Sequence, residues 1–151
     1  MKRSIVAITA LFLGTTSAYA EVVAPTNVMF EDGAVAASLT GAPGDAAAGR
    51  KAFLNRKQGN CLACHVNSDM ADQPFHGEVG PSLDGVATRW TEAELRGIVA
   101  NSKKTFEDTI MPAFYITEGY NRPLEKFEGK SVLTAQQVED IVAYLMTLKS
   151  E

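Results

Sequence analysis

The clearest pattern in the chain lies near its C-terminus. There Val138, Ile141, Val142, Leu145 and Leu148 recur at helical spacing and form one apolar stripe. Thr134 precedes the stripe as an N-cap, Gln137 completes a capping box, and Leu133 is placed to staple onto Val138. A second box, Thr91 with Glu94, has Trp90 and Leu95 as its staple. It opens a helix with Leu95, Ile98 and Val99 on one side, ending near Lys103-Lys104, where positive charge suits the helix dipole. A third helix is expected from an Asp45 cap to about Lys57, with Gly49 and Phe53 one turn apart on its face and Gly59-Asn60 as its stop. No stretch alternates convincingly as a strand and nothing repeats internally, so the pattern predicts an all-α fold.

The segments between these helices are irregular. Residues 21–44, punctuated by Pro25, Gly33, Gly41, Pro43 and Gly44, read as an extended arm. Its Val22, Val23, Val28, Met29, Phe30 and Leu39 suggest that it lies against its own domain or another chain, the alternative being a floppy tail. Residues 113–130 form a long connection carrying Phe114, Tyr115, Tyr120 and Phe127 without a clear period. Ahead of the arm, Lys2 and Arg3, an apolar run from Ile5 to Leu13, and Ala18-Tyr19-Ala20 read as a removable export signal. That run is shorter than the roughly 20 residues needed to span a bilayer. The expected organisation is a signal peptide over 1–20, an arm over 21–44 and one domain over 45–151, with a mature chain that begins near Glu21 and has no membrane anchor.

Charge narrows the partners. The sequence holds 14 basic and 18 acidic residues, and two of the basic ones fall in the signal. A mature charge of about −6 argues against nucleic acid or an anionic membrane surface as the partner.

Both cysteines of the chain fall in Cys61-Leu62-Ala63-Cys64-His65. Two thiols at this spacing can each add to a vinyl group of one haem, and the following histidine can bind the iron; this is the attachment signature of a c-type haem. A redox dithiol would sit in a βαβ pattern that is missing here. A zinc site would need ligands beyond His76, the only other histidine. A disulfide would close too short a loop to constrain much. One covalently bound haem c, attached to Cys61 and Cys64 and ligated by His65, is therefore expected, and with it export to the periplasm. A second strong axial ligand makes such an iron an electron carrier, whereas an open site would suit a sensor or peroxidase. Met111 is favoured: it lies in a loop stiffened by Pro112 and far enough along the chain to pass around the ring edge. His76 is the runner-up and otherwise an exposed loop residue. Met70 is too near His65, Met146 belongs to a packed helix, and Met29 lies in the arm. In Gly80-Pro81-Ser82-Leu83-Asp84-Gly85, the Pro81 carbonyl is a candidate acceptor for the other ring nitrogen of His65, though a plain turn fits as well.

Over about residues 45–149 this order resembles class I cytochrome c: Gly49 with Phe53, the Cys61–His65 motif, Gly80-Pro81, a Met111 loop, and a last helix bearing Tyr144. The resemblance implies a class I cytochrome c fold, with helices packed around one haem, terminal helices crossing at Gly49 and Tyr144 near Phe53. It also implies that Pro81 holds His65 and that Trp90 packs on the haem and bonds a propionate. The stretches Gly80–Val86, Met111–Tyr115, Gly119–Pro123 and Val138–Leu145, together with the arm and the insertion after Met111, resemble more closely the SoxX family of monohaem cytochromes. Members of that family pair with SoxA in a SoxAX complex that oxidatively joins thiosulfate to a cysteine of the SoxYZ carrier, an L-cysteine S-thiosulfotransferase type of activity. The resemblance implies that this chain transfers electrons to a downstream acceptor and has no substrate site of its own, in a SoxA heterodimer contacted through the arm and the region after Met111. Tyr115, Tyr120, Arg122 and Phe127 are residue types suited to such a contact. A diffusible class I cytochrome shuttle is the alternative.

Overall fold

In the computed structural model the described residues are 21–149, and among them are four α-helices: α1 (Ala46–Phe53), α2 (Val86–Arg89), α3 (Glu92–Asn101) and α4 (Ala135–Leu145). The expected signal over 1–20 lies outside the described residues. The last helix forms as its pattern requires. The Gln137 N–H donates to the Thr134 hydroxyl, and the Thr134 N–H donates to the Gln137 side chain, closing the capping box. The stripe of Val138, Ile141, Val142 and Leu145 is buried. A matching box at Thr91 and Glu94 opens α3.

Helices α1 and α4 cross in direct backbone contact. A Cβ on Gly49 would stand 1.8 Å from the Asp140 carbonyl oxygen, so only glycine permits this approach. One turn further along, Phe53 meets Tyr144 edge-on, with centroids 5.7 Å apart. The Asp45 carboxylate accepts from the Ala48 N–H at the start of α1.

Helix α1 ends at Phe53 and does not run to Lys57 as the sequence suggested. Asn55 explains the early stop. Its N–H turns back to the Ala52 carbonyl and its side-chain oxygen accepts from the Lys57 N–H at 3.0 Å, offering the backbone an alternative to helix. The short α2 was not expected either, because four residues after a left-handed Gly85 carry no readable period.

The arm packs on its own domain. Val35 and Leu39 are buried in the core, and fully burying such a side chain stabilises by roughly 1.5–3 kcal/mol. The Val35 N–H donates to the Ala93 carbonyl of α3, and the Leu39 N–H donates to the Glu139 carboxylate of α4. Glu139 also takes a paired bond from the Arg96 guanidinium, whose other nitrogen donates to the Val35 carbonyl at 3.0 Å. One buried ion pair thus ties α3, α4 and the arm together. The 113–130 connection is also partly internal: Phe114 and Tyr115 are buried, and the Tyr115 hydroxyl donates to the Val23 carbonyl of the arm at 2.6 Å. Of the four residues offered for a partner contact, only Arg122 is exposed; Tyr115 is buried and Tyr120 and Phe127 are half-buried. The arm therefore lies against its own domain, one of the two readings the sequence left open, and Tyr115 is part of the same packing.

Glu139→Ala strips the Arg96 charge of its buried partner, leaving only the exposed Glu92, and the Leu39 N–H of its acceptor, so a loss of about 3 kcal/mol is expected. Denaturant unfolding measures the loss, and amide exchange at Leu39 reports release of the arm. A truncation of residues 21–44 that left the melting temperature unchanged would contradict this packing.

Candidate haem site

The Cys61–His65 segment folds as a 3₁₀ turn, with Asn60 in the left-handed region just before it. The Cys61 carbonyl accepts from both the Cys64 and the His65 N–H at 3.1 Å, which fixes the spacing of the two thiols and the imidazole. Leu62 anchors the turn in the core, while Ala63 and Cys64 stay exposed. Both cysteines are free. Burial pushes the Cys61 thiol up to about 12, with Cys64 adding to the effect. A redox dithiol needs the opposite shift. Among the described residues no cluster of three or more His, Cys, Asp or Glu could hold a metal ion, which leaves the zinc reading without a ligand set.

The next element around the turn is the 80–85 loop. The Gly80 N–H donates to the Cys64 carbonyl and the Leu83 N–H to the Val66 carbonyl, so the loop runs beside the motif. Gly80 lies flat against the imidazole; a Cβ there would come within 2.3 Å of His65 Cε1. This approach brings the Pro81 carbonyl to 2.8 Å from His65 Nδ1. A carbonyl can only accept, so the proton sits on Nδ1 and Nε2 keeps a lone pair free to bind a metal.

Met111, like Cys61, Leu83 and Trp90, is half-buried against the core. Its backbone is held at both ends. The buried Ser102 hydroxyl donates to the Met111 carbonyl at 2.7 Å, and the Met111 N–H donates to the Thr109 hydroxyl at 3.2 Å. Trp90 is half-buried and meets Phe106 edge-on at 5.8 Å.

The other candidate ligands have different surroundings. His76 is not a simple exposed residue: Nδ1 accepts from the Asn67 N–H, and Nε2 faces the Met70 and Gln73 carbonyls. Both of its ring nitrogens are occupied in holding the loop after the motif. Met70 is fully buried, Met29 is 79% exposed in the arm, and Met146 sits half-buried at the C-terminal end of α4.

Reading the sequence missed the residues that hold these groups in place. Ser102, Ser68 and Arg89 were not singled out, and Asp84 entered only as a member of the Gly80–Gly85 stretch. The Asp84 carboxylate accepts from both the N–H and the hydroxyl of Ser68 at 2.7 Å. The Arg89 guanidinium donates to the carbonyls of Asp84 and Ser82. Two free thiols in a fixed turn, an imidazole with an available Nε2, and a half-buried methionine whose backbone is held in place together fit a covalently attached haem.

The cytochrome c family model matches residues 46–149. No curated protein matches the chain. Among solved structures, the chain is similar to SoxXA from P. pantotrophus at 51% identity and a TM-score of 0.78, over 84% of this chain and 98% of that one. It also matches ferric cytochrome c-550 from Paracoccus versutus at 25% identity with a TM-score of 0.36, over 70% of this chain and 98% of that one. The chain belongs to the cytochrome c family, as a haem c cytochrome of the SoxX type.

Proposed function

We propose that this chain is the electron-accepting subunit of a periplasmic SoxAX-type complex, in which Cys61 and Cys64 attach one haem c and His65 and Met111 are its axial ligands. The observation that carries the proposal is the 51% identity to SoxXA over nearly the whole of that chain. The bound haem supplies a one-electron iron couple. The protein's residues supply position and tuning. The His65 Nδ1–H bond to Pro81 fixes the tautomer and raises the basicity of Nε2. Ser102 and Thr109 hold the Met111 backbone, so that a thioether, which favours the reduced metal, is presented without a search. Trp90 would help hold the group, packing on the haem and donating its indole N–H to a propionate.

Both thiols are committed to haem, which leaves no cysteine in this chain to bind sulfur. Joining thiosulfate to the SoxYZ carrier then falls to a SoxA-like cytochrome, and the thiosulfotransferase activity belongs to the complex. This chain passes single electrons towards a downstream acceptor. Export through residues 1–20 delivers it to the periplasm, with the arm at 21–44 and a cytochrome c domain at 45–151. Among the described residues no helix is long and apolar enough to cross a membrane. One observation favours the alternative of a diffusible shuttle: the arm and Tyr115 are satisfied within the chain and do not by themselves call for a partner. Copurification from the native periplasm separates the two readings. A SoxA-like cytochrome that coelutes at micromolar concentration supports the complex, and a monomer that elutes alone supports the shuttle.

Met111→Ala is expected to abolish the weak far-red absorption of ferric iron–thioether ligation, and Met111→His to lower the reduction potential. A band that survives Met111→Ala removes Met111 from the ligand set.

Gly80→Ala forces the imidazole aside, because the new methyl would overlap the His65 ring. The haem should stay covalently attached through Cys61 and Cys64 while the His65–Pro81 bond is lost. Nitrogen NMR of the imidazole reads this directly, and an unchanged Nδ1–H signal would contradict the geometry.

A further inference from the structure

Pro81 has no N–H and is exposed, so its carbonyl cannot be aimed at His65 by its own packing. Something must hold the loop that carries it. Backbone bonds at Gly80 and Leu83 do part of this. The rest is done by three polar side chains that sequence reading did not single out.

Asp84, three residues past Pro81, reaches across to Ser68, three residues past His65. Its two oxygens take the Ser68 N–H and hydroxyl, each at 2.7 Å. These are charge-assisted bonds of short length and two-point geometry. Ser68 holds Asp84 well below the usual carboxylate range, first through its N–H and then through its hydroxyl. From α2, the Arg89 guanidinium spans the same loop, donating to the Asp84 carbonyl at 2.6 Å and to the Ser82 carbonyl at 2.8 Å. An exposed ion pair would ordinarily hold little in place. Here each charged group bonds backbone at fixed positions, so a closed circuit runs from His65 along the chain to Ser68, across to Asp84, and back through Ser82 to Pro81.

We propose that Asp84, Ser68 and Arg89 are positioning residues for His65, clamping the Pro81 loop so that its carbonyl keeps the Nδ1–H bond that tunes the imidazole. The proposal rests on the reading of His65 as an axial ligand. It assigns to three surface residues a part in setting the ligand strength of an imidazole that none of them touches.

The test uses the full haem-loaded chain. Asp84→Ala and Arg89→Ala are expected to speed solvent exchange of the His65 Nδ1 proton in the ferrous protein about tenfold, at the low end of what lost outer-shell partners cost. The reduction potential should move upward, since a less basic imidazole stabilises the oxidised metal less. Ser68→Ala removes only the hydroxyl bond and should shift both readouts less in the same direction; it serves if Asp84→Ala fails to accumulate. Glu94→Ala, which breaks the α3 capping box at Thr91 while leaving every Asp84, Ser68 and Arg89 bond in place, controls for general loss of stability. Wild-type exchange and potential in the clamp variants would overturn the proposal. So would an equal shift in Glu94→Ala at the same loss of melting temperature. A wild-type ferrous protein without a haem-shifted His65 resonance would overturn the ligand reading instead, and the Nδ1 exchange rates would still decide the clamp.

Discussion

The backbone contact at Gly49 is the constraint on which the site depends. Because α1 and α4 touch there without side chains between them, Tyr144 of α4 and Arg50 of α1 are carried to the loop that follows the haem motif. The Tyr144 hydroxyl accepts from the Asn67 side chain at 2.9 Å and donates to Asp69 at 2.8 Å. Burial, with Asp69 alongside, pushes that hydroxyl well above its ordinary range, so it remains a donor at any working pH. Arg50 adds bonds to Asp69 and Asp72. Residues 67–72 are thereby fixed to the helix crossing, and Asn67 in turn orders His76 and the chain beyond it. The crossing and the motif are one mechanical unit.

The two axial candidates are held by different means. His65 is fixed through its ring, by a carbonyl on one nitrogen and a glycine face against the plane. Met111 is fixed through its backbone, by the hydroxyls of Ser102 and Thr109, and its unbranched thioether is by nature the more adaptable group. With the proposed ligands, a stiff imidazole paired with a more adaptable sulfur would suit a metal that changes charge but should change geometry little. Low reorganisation is what a one-electron carrier needs.

Features carried by local pattern were legible in the sequence. The caps at Thr91 and Thr134, the stripe on α4, the Gly49–Phe53 pair and the Cys61–His65 turn each depend on residues within a few positions of one another. What was not legible depends on distant partners. Asn55 ends α1 through a turn that competes with helix, and this shows only once the following loop is placed. Arg96 and Glu139 lie 43 positions apart and look like ordinary polar helix residues; together they form the buried pair that docks the arm. Tyr115 reads equally well as an interface or a core aromatic, and only its bond to Val23 decides. The Asp84–Ser68 clamp spans 16 positions between two irregular loops, where no period exists to announce it.

The claim that His65 and Met111 ligate one metal from opposite sides is tested most directly by X-ray absorption at the iron of the purified, haem-loaded chain. Low-spin six-coordinate iron with a sulfur neighbour alongside nitrogens, in both oxidation states, is the expected result. Two axial nitrogens, or a five-coordinate high-spin iron in either state, would contradict it.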